Sequence, residues 1–373
     1  MRLRRRQQVM TAGGAVVAMA LSLAACSSSS STAAAGTSSG SSSAPASGSS
    51  SSSAAAVTGT INAAGSTFQL NFQQAAISQF KSTDPSITVN YAGVGSSSGR
   101  ADFYKNTVLF AGSDSPIPSK EASEVPAGKT VLYFPVQIGP IAMAYNLPGV
   151  TGLKLDAPTL AKIFQGQIKT WDDPAIKALN PGLSLPSTAI TLAVRSDGSG
   201  TTANFSEYLV DAAGSAWSLG TGSTIKWPST ARAGDGGSGV AQIIKSTTGA
   251  IGYVDFSTAS ASSLSAASIK NSAGDYVAPS STSAAAAATQ VTPKADLTFA
   301  AVDEPGATSY PITYQSWDLV YAVQPNATDV QLLQAYLGYL LGPAQQLLTT
   351  LNLAPLPASI DAAAKAQLSK ITS

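Results

Sequence analysis

The segment "AITLAVRSDGSGTTANFSEYL" (residues 189–209) contains the order of elements on which the fold depends. Its apolar, β-branched start predicts a buried strand ending at Arg195, and large apolar residues from Phe205 onward recur at the spacing of one helix face. A polar loop, residues 197–201, joins the two. Strand, loop and helix in this order are typical of α/β folds. The loop is therefore a catalytic serine site, a cradle for an anion, or an ordinary turn.

The same alternation of strand and helix patterns runs through the chain from about Val57. Two further strands end in small polar loops, at residues 65–67 and 95–98. The alternation predicts an α/β architecture with largely parallel sheets. In open α/β sheets, ligands bind beyond the carboxyl ends of strands, where helix N-termini offer unpaired N–H groups. Three such loops predict a ligand site, whereas the Ser- and Ala-rich stretch 257–300 predicts no particular element.

The composition excludes several classes of function. The 373 residues, 44% of them apolar, suffice for about two domains with a sizeable core. Histidine is absent, which rules out Ser-His-Asp and Cys-His mechanisms and histidine-ligated metals, so we expect no metal site and no cofactor. Four of the 21 basic residues and none of the 20 acidic ones precede Cys26, so the remainder is slightly acidic. Nucleic acid is therefore not expected as a partner.

The N-terminal region has the pattern of a targeting signal. The basic start "MRLRRRQQ" leads into an apolar stretch and then "LAAC" (residues 23–26), which ends in the chain's single cysteine. The pattern predicts a lipoprotein signal peptide over 1–25 and an acylated Cys26, with a transmembrane anchor as the alternative. Residues 26–56, rich in Ser, Gly and Ala, then predict a flexible tether. We expect an exported protein, lipid-anchored to the outer face of the cytoplasmic membrane, with a folded body from Val57.

The interpretations of the loop at 197–201 differ in what else they require. A nucleophilic Ser199 needs a general base, and histidine is missing. The glycine-rich "GDGGSG" (residues 234–239) fails as a serine-protease motif for the same reason, and no Ser-x-x-Lys stands at a strand-to-helix turn. As an ordinary turn, Asp197 would only close an Asx-turn, and the hydroxyls of the neighbouring loops would only cap helices.

As an anion site, the loops complement one another. Arg195 supplies a charge and a fork of donors, and Asp197, two residues further on, is suited to orient it. Asp114 is an acceptor, which suits only an anion that still carries a proton, such as hydrogen phosphate. The other candidates supply hydroxyl or backbone N–H donors: Thr67, Ser96, Ser199 and Thr201 the hydroxyls, Phe68 and Gly200 the N–H groups.

Between about Thr60 and Pro357 the chain carries an ordered series of longer motifs: "AAGSTF", "YAGVGSSSG", "FAGSDSP", "FPVQIGPIAMAYNLPGV", "IFQGQIKTWDDPAIKALNPGLSLP", "VRSDGSGTTANFSEYL", "GTGSTIKWP", "GAIGYVDF" and "YPIT". In these motifs and their order the chain resembles the phosphate-binding proteins of bacterial phosphate ABC transporters. The resemblance implies their type II periplasmic-binding-protein fold, an α/β structure of two lobes joined by two crossover strands near Gly139 and Pro311, with the ligand in the interlobe cleft. The implied lobes are 57–138 with 312–373, and 139–311.

The resemblance also assigns roles to individual residues. It implies that Asp114 accepts the proton of the phosphate and that Asp197 orients the arginine. One position departs from the family's pattern, since Ser98 stands where the family often has glycine. The full set of phosphate-binding residues that it implies is Thr67, Phe68, Ser96, Asp114, Arg195, Ser199, Gly200 and Thr201.

The function implied by the resemblance is capture and delivery, without catalysis. Inorganic phosphate would bind between the lobes of a monomer, and the loaded form would dock on the subunits of an ABC phosphate permease. Two alternatives remain open. One is a phosphatase-like or phosphoester-binding enzyme on the same scaffold, which would need a nucleophile or a metal cluster. The other is an immunogenic or adhesive surface lipoprotein that keeps the fold without transport.

Overall fold

A computed structural model describes residues 57–373 of the chain. The signal peptide predicted over 1–25, the lipidation of Cys26 and the tether over 26–56 lie outside the described residues and stay predictions. Within residues 57–373, none of the helices combines the length and apolar character needed to cross a membrane.

The described chain alternates strands with helices, as the sequence pattern predicts. The strands are Gly59–Gly65 (β1), Ile87–Gly93 (β2), Phe110–Ser113 (β3), Val131–Tyr145 (β4), Lys154–Leu155 (β5), Thr191–Arg195 (β6), Arg232–Gly234 (β7), Ala250–Asp255 (β8), Ser265–Ala266 (β9), Ser268–Lys270 (β10), Tyr276–Val277 (β11) and Thr313–Tyr321 (β12). The helices are Leu70–Thr83 (α1), Ser96–Tyr104 (α2), Ala157–Phe164 (α3), Pro174–Leu179 (α4), Gly200–Ala213 (α5), Gly236–Ser246 (α6), Phe256–Ala261 (α7), Ser281–Ala288 (α8), Ala327–Leu340 (α9), Gln345–Thr350 (α10) and Ala358–Gln367 (α11).

Nine of the strands form one sheet, in the order β2-β1-β3-β12-β4-β8-β6-β7, with β9 also paired to β4. The outer pairs are parallel: β1 with β2 and β3, and β6 with β7 and β8. The central pairs of β12 with β3 and β4, and of β4 with β8, are antiparallel. The expectation of largely parallel sheets is therefore wrong at the centre, because β4 and β12 run through the middle of the sheet in opposite directions.

The long strand β4 belongs to both halves of the sheet. Residues 131–140 pair with β12, whereas residues 141–145 pair with β8. We call the part that contains β1, β2 and β3 the first half, and the part that contains β6, β7 and β8 the second half. Chain direction and pairing therefore place the ends of β1, β3 and β6 so that their following loops meet between the halves.

Local sequence signals account for several helix boundaries. Asp156 caps α3, with its Oδ1 accepting from the Thr159 N–H at 2.9 Å, and Gly166 follows the helix with a positive φ of 71°. On α9, Leu333 and Leu337 are fully buried, as the apolar spacing indicates. The stretch 257–300, which predicted no particular element, contains α8, and a capping box of serines begins that helix.

Candidate functional site

The loops that follow β2, β3 and β6 meet between the two halves of the sheet. Gly200, the first residue of α5, packs against the first half so closely that a Cβ there would stand 2.6 Å from both Ser96 Oγ and Asp114 Oδ2. The Ser97 N–H donates to the Gly198 carbonyl at 3.1 Å, also across the halves. The structure thus brings together residues that lie about a hundred positions apart in the chain.

Asp114 is buried at the end of β3 and is oriented by hydrogen bonds. Ser316 Oγ donates to its Oδ1 at 2.6 Å, and its Oδ2 lies 3.4 Å from Ser96 Oγ. Burial raises the pKa of Asp114 to about 6, although the Ser316 hydrogen bond and the positive charge of Arg195 favour the ionised form. At pH 7 the carboxylate is therefore available as an acceptor, but only by a narrow margin.

Arg195 ends β6, and its guanidinium is held by Asp197. Arg195 Nε donates to Asp197 Oδ1 at 2.7 Å, and Nη2 donates to Oδ2. Burial opposes the charged form of Arg195, but the hydrogen bonds and charge of Asp197 outweigh it and raise the pKa of the arginine. Because these bonds use two of the five guanidinium donors, the others can serve a ligand. Asp197 Oδ1 also accepts from the Gly236 N–H at 3.1 Å.

The first turn of α5 presents backbone N–H groups to the same region. Ser199 is the N-cap residue, and its Oγ accepts from the Thr202 N–H at 3.2 Å. Thr201 follows in the first turn and is almost fully buried. The N-terminus of this 14-residue helix carries a partial positive charge and free N–H groups, which favour an anion.

The turn after β1 holds the two remaining predicted residues. Thr67 is half-buried, and its side chain lies beside Gly236 of the second half. The Phe68 N–H donates to Ser66 Oγ at 3.0 Å, so a ligand could use this donor only if the serine hydroxyl gives way. The Phe68 ring stacks on Tyr314 with centroids 4.0 Å apart, which anchors the turn to β12. The departure at Ser98 is accommodated, since this side chain is exposed in the first turn of α2.

Two buried polar residues at the site were missed by the sequence reasoning. Ser316 lies within β12, and Asp255 ends β8, where it caps α7 by accepting from the Thr258 N–H at 2.8 Å. Burial raises the pKa of Asp255 to about 6, and Arg195 opposes this rise. A signal for both existed, because polar residues inside "YQSWDLV" and at the end of "GAIGYVD" interrupt otherwise apolar strands.

Comparison with known proteins agrees with this architecture. The model of the "PBP superfamily domain" matches residues 49–344. The chain is 38% identical to "Phosphate-binding protein PstS 3" of Mycobacterium leprae over 80% of its own length and 84% of that protein. It is 34% identical to "Phosphate-binding protein PstS" of Haemophilus influenzae, over 83% of this chain and 92% of the relative.

Solved structures share the fold. A high-affinity periplasmic phosphate-binding protein solved with phosphate bound superposes with a TM-score of 0.69 at 22% identity, covering 83% of this chain and 94% of that one. An ABC-type phosphate transport receptor of Vibrio cholerae gives a TM-score of 0.53 at 18% identity, covering 80% and 100%. With its two-lobed, type II periplasmic-binding-protein fold, the chain belongs to the PstS family of phosphate-binding proteins within the PBP superfamily.

Proposed function

We propose that this protein captures inorganic phosphate, as hydrogen phosphate, outside the cytoplasm and delivers it to an ABC-type phosphate permease. The observation that carries the proposal is the meeting of unlike groups between the two halves. Asp114, an acceptor, stands against the start of α5, and Arg195 of the same half as α5 is fixed by Asp197. Donors with one buried acceptor suit a tetrahedral oxyanion that retains a proton.

The donors neutralise the anion in this proposal. The guanidinium N–H groups of Arg195 that are not bonded to Asp197 donate to one edge of the phosphate, and the N–H groups at the N-terminus of α5 donate to another. Ser96 Oγ, beside Asp114, reaches the ligand from the first half. Together with these, the proposed ligand set keeps the residues implied by the resemblance: Thr67, Phe68, Ser96, Asp114, Arg195, Ser199, Gly200 and Thr201.

In this proposal, Asp114 is the residue that discriminates between hydrogen phosphate and sulfate. Hydrogen phosphate donates its proton to the carboxylate in a short charge-assisted bond. Sulfate at neutral pH has no proton, so one of its oxygens would face an ionised, desolvated carboxylate. A site built around a buried hydrogen bond rejects an analogue that lacks it by roughly 10⁴–10⁵-fold.

The ligand is proposed to bind as two lobes close on it, with residues 57–138 and 312–373 in one lobe and 139–311 in the other. Direct bonds between the halves support a closed arrangement. Besides the contact of Ser97 with Gly198, Asn71 Nδ2 of α1 donates to Ser257 Oγ of α7 at 2.6 Å. The proposal requires these contacts to form as the lobes close and to break as they open.

The site is proposed to work on the outer face of the cytoplasmic membrane. The support is the pattern "LAAC" that ends at Cys26 and the long Ser-rich tether after it. A diacylglycerol plus an N-acyl chain gives stable attachment. Replacing the cysteine, Cys26→Ala, should abolish labelling with a radioactive fatty acid and membrane retention. Unchanged labelling and retention would contradict the anchor.

The protein is further proposed to be a monomer that binds without catalysing a reaction. Calorimetry of the full-length protein in mild detergent with phosphate, arsenate and sulfate tests the binding. We expect tight phosphate binding, one ion per chain, and much weaker sulfate binding. Absence of phosphate binding would overturn the proposal and favour a surface lipoprotein without transport. Turnover of a phosphate ester, assayed with and without divalent metals, would instead favour an enzyme.

A further inference from the structure

A continuous chain of buried side chains leads through the first half to Asp114. Tyr336 Oη lies 2.6 Å from Gln73 Oε1, and Gln73 Nε2 lies 3.0 Å from Gln69 Oε1. Gln69 Nε2 lies 2.8 Å from Ser316 Oγ, which lies 2.6 Å from Asp114 Oδ1. None of the five side chains is more than 1% exposed. Burial lowers the local dielectric constant, so each of these hydrogen bonds is electrostatically stronger than it would be in water.

The direction of every bond in this chain is fixed by one backbone carbonyl. Gln69 Nε2 also donates to the Trp317 carbonyl at 3.0 Å, and a carbonyl can only accept. The Oε1 of Gln69 must therefore point to Gln73, which has to present its Nε2. The Oε1 of Gln73 then faces Tyr336, whose hydroxyl must donate. The amide orientations follow from donor and acceptor chemistry alone.

The last donor in the chain is the hydroxyl of Ser316. Its oxygen already receives an N–H from Gln69, so its own hydrogen must point to another acceptor. Two acceptors lie within reach: Asp114 Oδ1 at 2.6 Å and the Ser113 carbonyl at 3.3 Å. The carboxylate is nearer and charged, so it takes the hydrogen. Asp114 Oδ1 is thereby an acceptor only, and Oδ2 is left on the side of Ser96 and the cleft.

We propose that Ser316, oriented by Gln69 and Gln73, is the positioning residue that sets the selectivity of this site for phosphate over sulfate, because it holds Asp114 as an ionised acceptor. The inference rests on the proposed function, since it requires phosphate as the ligand. It adds to that function a residue of β12 that is more than a hundred positions from every proposed ligand residue.

The other titratable groups that face Asp114 do not replace Ser316 in this role, and the Ser96 hydroxyl, at 3.4 Å, lies farther from the carboxylate than the Ser316 hydroxyl at 2.6 Å. Arg195 at the end of β6 stabilises the carboxylate, but Asp255 at the end of β8 repels it. The hydroxyls of Tyr91 on β2 and Tyr314 on β12 are neutral, and their pKa values are raised well above the usual range by burial. Asp114 therefore depends on short-range donors to stay ionised at the pH at which phosphate is bound.

Removing the donor of Ser316 should favour the protonated form of Asp114. Its hydrogen bond to Oδ1, at 2.6 Å, lowers the pKa of Asp114 and so opposes the rise that burial causes. A protonated Asp114 is a donor rather than an acceptor. It can then hydrogen-bond an oxygen of sulfate, and it no longer selects the anion that carries a proton. Selectivity should therefore be lost at a higher pH than in the natural protein.

The test measures dissociation constants of phosphate and sulfate from pH 5 to 8.5 by calorimetry on the full-length protein and on Ser316→Ala. The natural protein should lose selectivity as the pH falls through about 6, the pKa of Asp114. In Ser316→Ala we expect this midpoint at a higher pH. At pH 7 the ratio of the affinity for phosphate to the affinity for sulfate should be lower by about tenfold, the effect of one hydrogen bond to a charged group.

Two further variants keep the result decisive. Ser309→Ala removes a buried hydroxyl that donates to the Pro305 carbonyl in the second half, and it should leave ratio and midpoint unchanged. Ser316→Cys, measured under reductant, keeps the side-chain shape with a weak donor and decides the matter if Ser316→Ala does not fold. If Ser316→Ala loses affinity equally for both anions, or loses selectivity at the same pH as the natural protein, the role of Ser316 is overturned while the proposed function stands. If the natural protein binds no phosphate, the proposed function fails instead.

Discussion

We call residues 195–201, one continuous stretch that supplies most of the proposed donors, the donor side of the candidate site. Its acceptor side is Asp114 together with the hydroxyls of Ser96 and Ser316 that donate to this carboxylate, and these three residues come from separate segments. The donor side offers charge and N–H groups that any tetrahedral oxyanion can use. The acceptor side offers a carboxylate that only a protonated oxyanion can use. The proposed function therefore assigns affinity and selectivity to different parts of the molecule, and substitutions on either side can test that division.

The largest effect is expected on the acceptor side, in Asp114→Asn. The amide can donate to sulfate, so the ratio of the affinity for phosphate to the affinity for sulfate should fall. The fall should be up to roughly 10⁴-fold, the limit for a site that depends on one buried hydrogen bond. Titration of both anions at pH 7.5 measures it. Asp156→Asn is the control, since that carboxylate caps α3 in the second half. If Asp114→Asn keeps the natural ratio, the acceptor side does not discriminate.

On the donor side, Arg195→Ala should weaken phosphate and sulfate together. Truncating one partner of a buried charge pair costs about 2–5 kcal/mol, which is roughly 30-fold to several thousand-fold in affinity. The ratio of the two dissociation constants, measured at pH 8.5 so that Asp114 stays ionised without the charge of Arg195, should stay within a few-fold of the natural one. Arg232→Ala removes an exposed arginine from the neighbouring strand β7 and should change neither constant. A selective loss of phosphate would show that the two sides are not separable.

A smaller effect, on the free energy of unfolding, is expected in Asp318→Asn, which changes a buried aspartate of β12 two residues from Ser316. Burial raises the pKa of Asp318 from 3.8 to about 7, so its contribution to stability is complete below about pH 4 and is lost as the pH rises through 7. At pH 8 the amide should therefore raise the free energy of unfolding of the ligand-free protein by a few kcal/mol, at about 1.4 kcal/mol per pKa unit.

Denaturant unfolding of the ligand-free protein from pH 4 to 8 measures the effect of Asp318→Asn. The variant should show a flatter pH dependence than the natural protein. Asp275→Asn changes an exposed aspartate and serves as the control. A pH profile of Asp318→Asn identical to that of the natural protein would mean that this carboxylate is ionised in the folded chain.

The smallest effect is expected where the two sides are joined, in Asn71→Ala. The variant loses the hydrogen bond to Ser257 between the halves, worth about 0.5–1.5 kcal/mol, so phosphate should bind about 2- to 10-fold more weakly through faster dissociation. Stopped-flow tryptophan fluorescence measures the rate. Asn90→Ala breaks a comparable bond to Asn62 within the first half and should leave the rate unchanged. Equal rates in both variants would argue against closure at this contact.

The sequence patterns predicted the elements that depend on neighbouring residues. The cap at Asp156 and the buried face of α9 can be read from the sequence because capping and helix periodicity act within a few residues. The prediction of largely parallel sheets failed at β4 and β12, because strand direction depends on how distant segments pair. The residues proposed for the site converge, but the sequence did not reveal that Ser66 already holds the Phe68 N–H.

The sequence by itself determined much of the donor side, since Arg195 and Asp197 lie only two residues apart and their pairing, which that spacing suggests, is present in the structure. Only the tertiary structure decided the acceptor side. Ser316 meets Asp114 across 202 positions, and the register of β12 on β4 shifts between Ser316 and Trp317. A bulge of this kind redirects a side chain, so the polar interruption of β12 marks Ser316 in the sequence but does not identify its partner. The orientation of a buried hydroxyl depends on partners that only the packed core supplies.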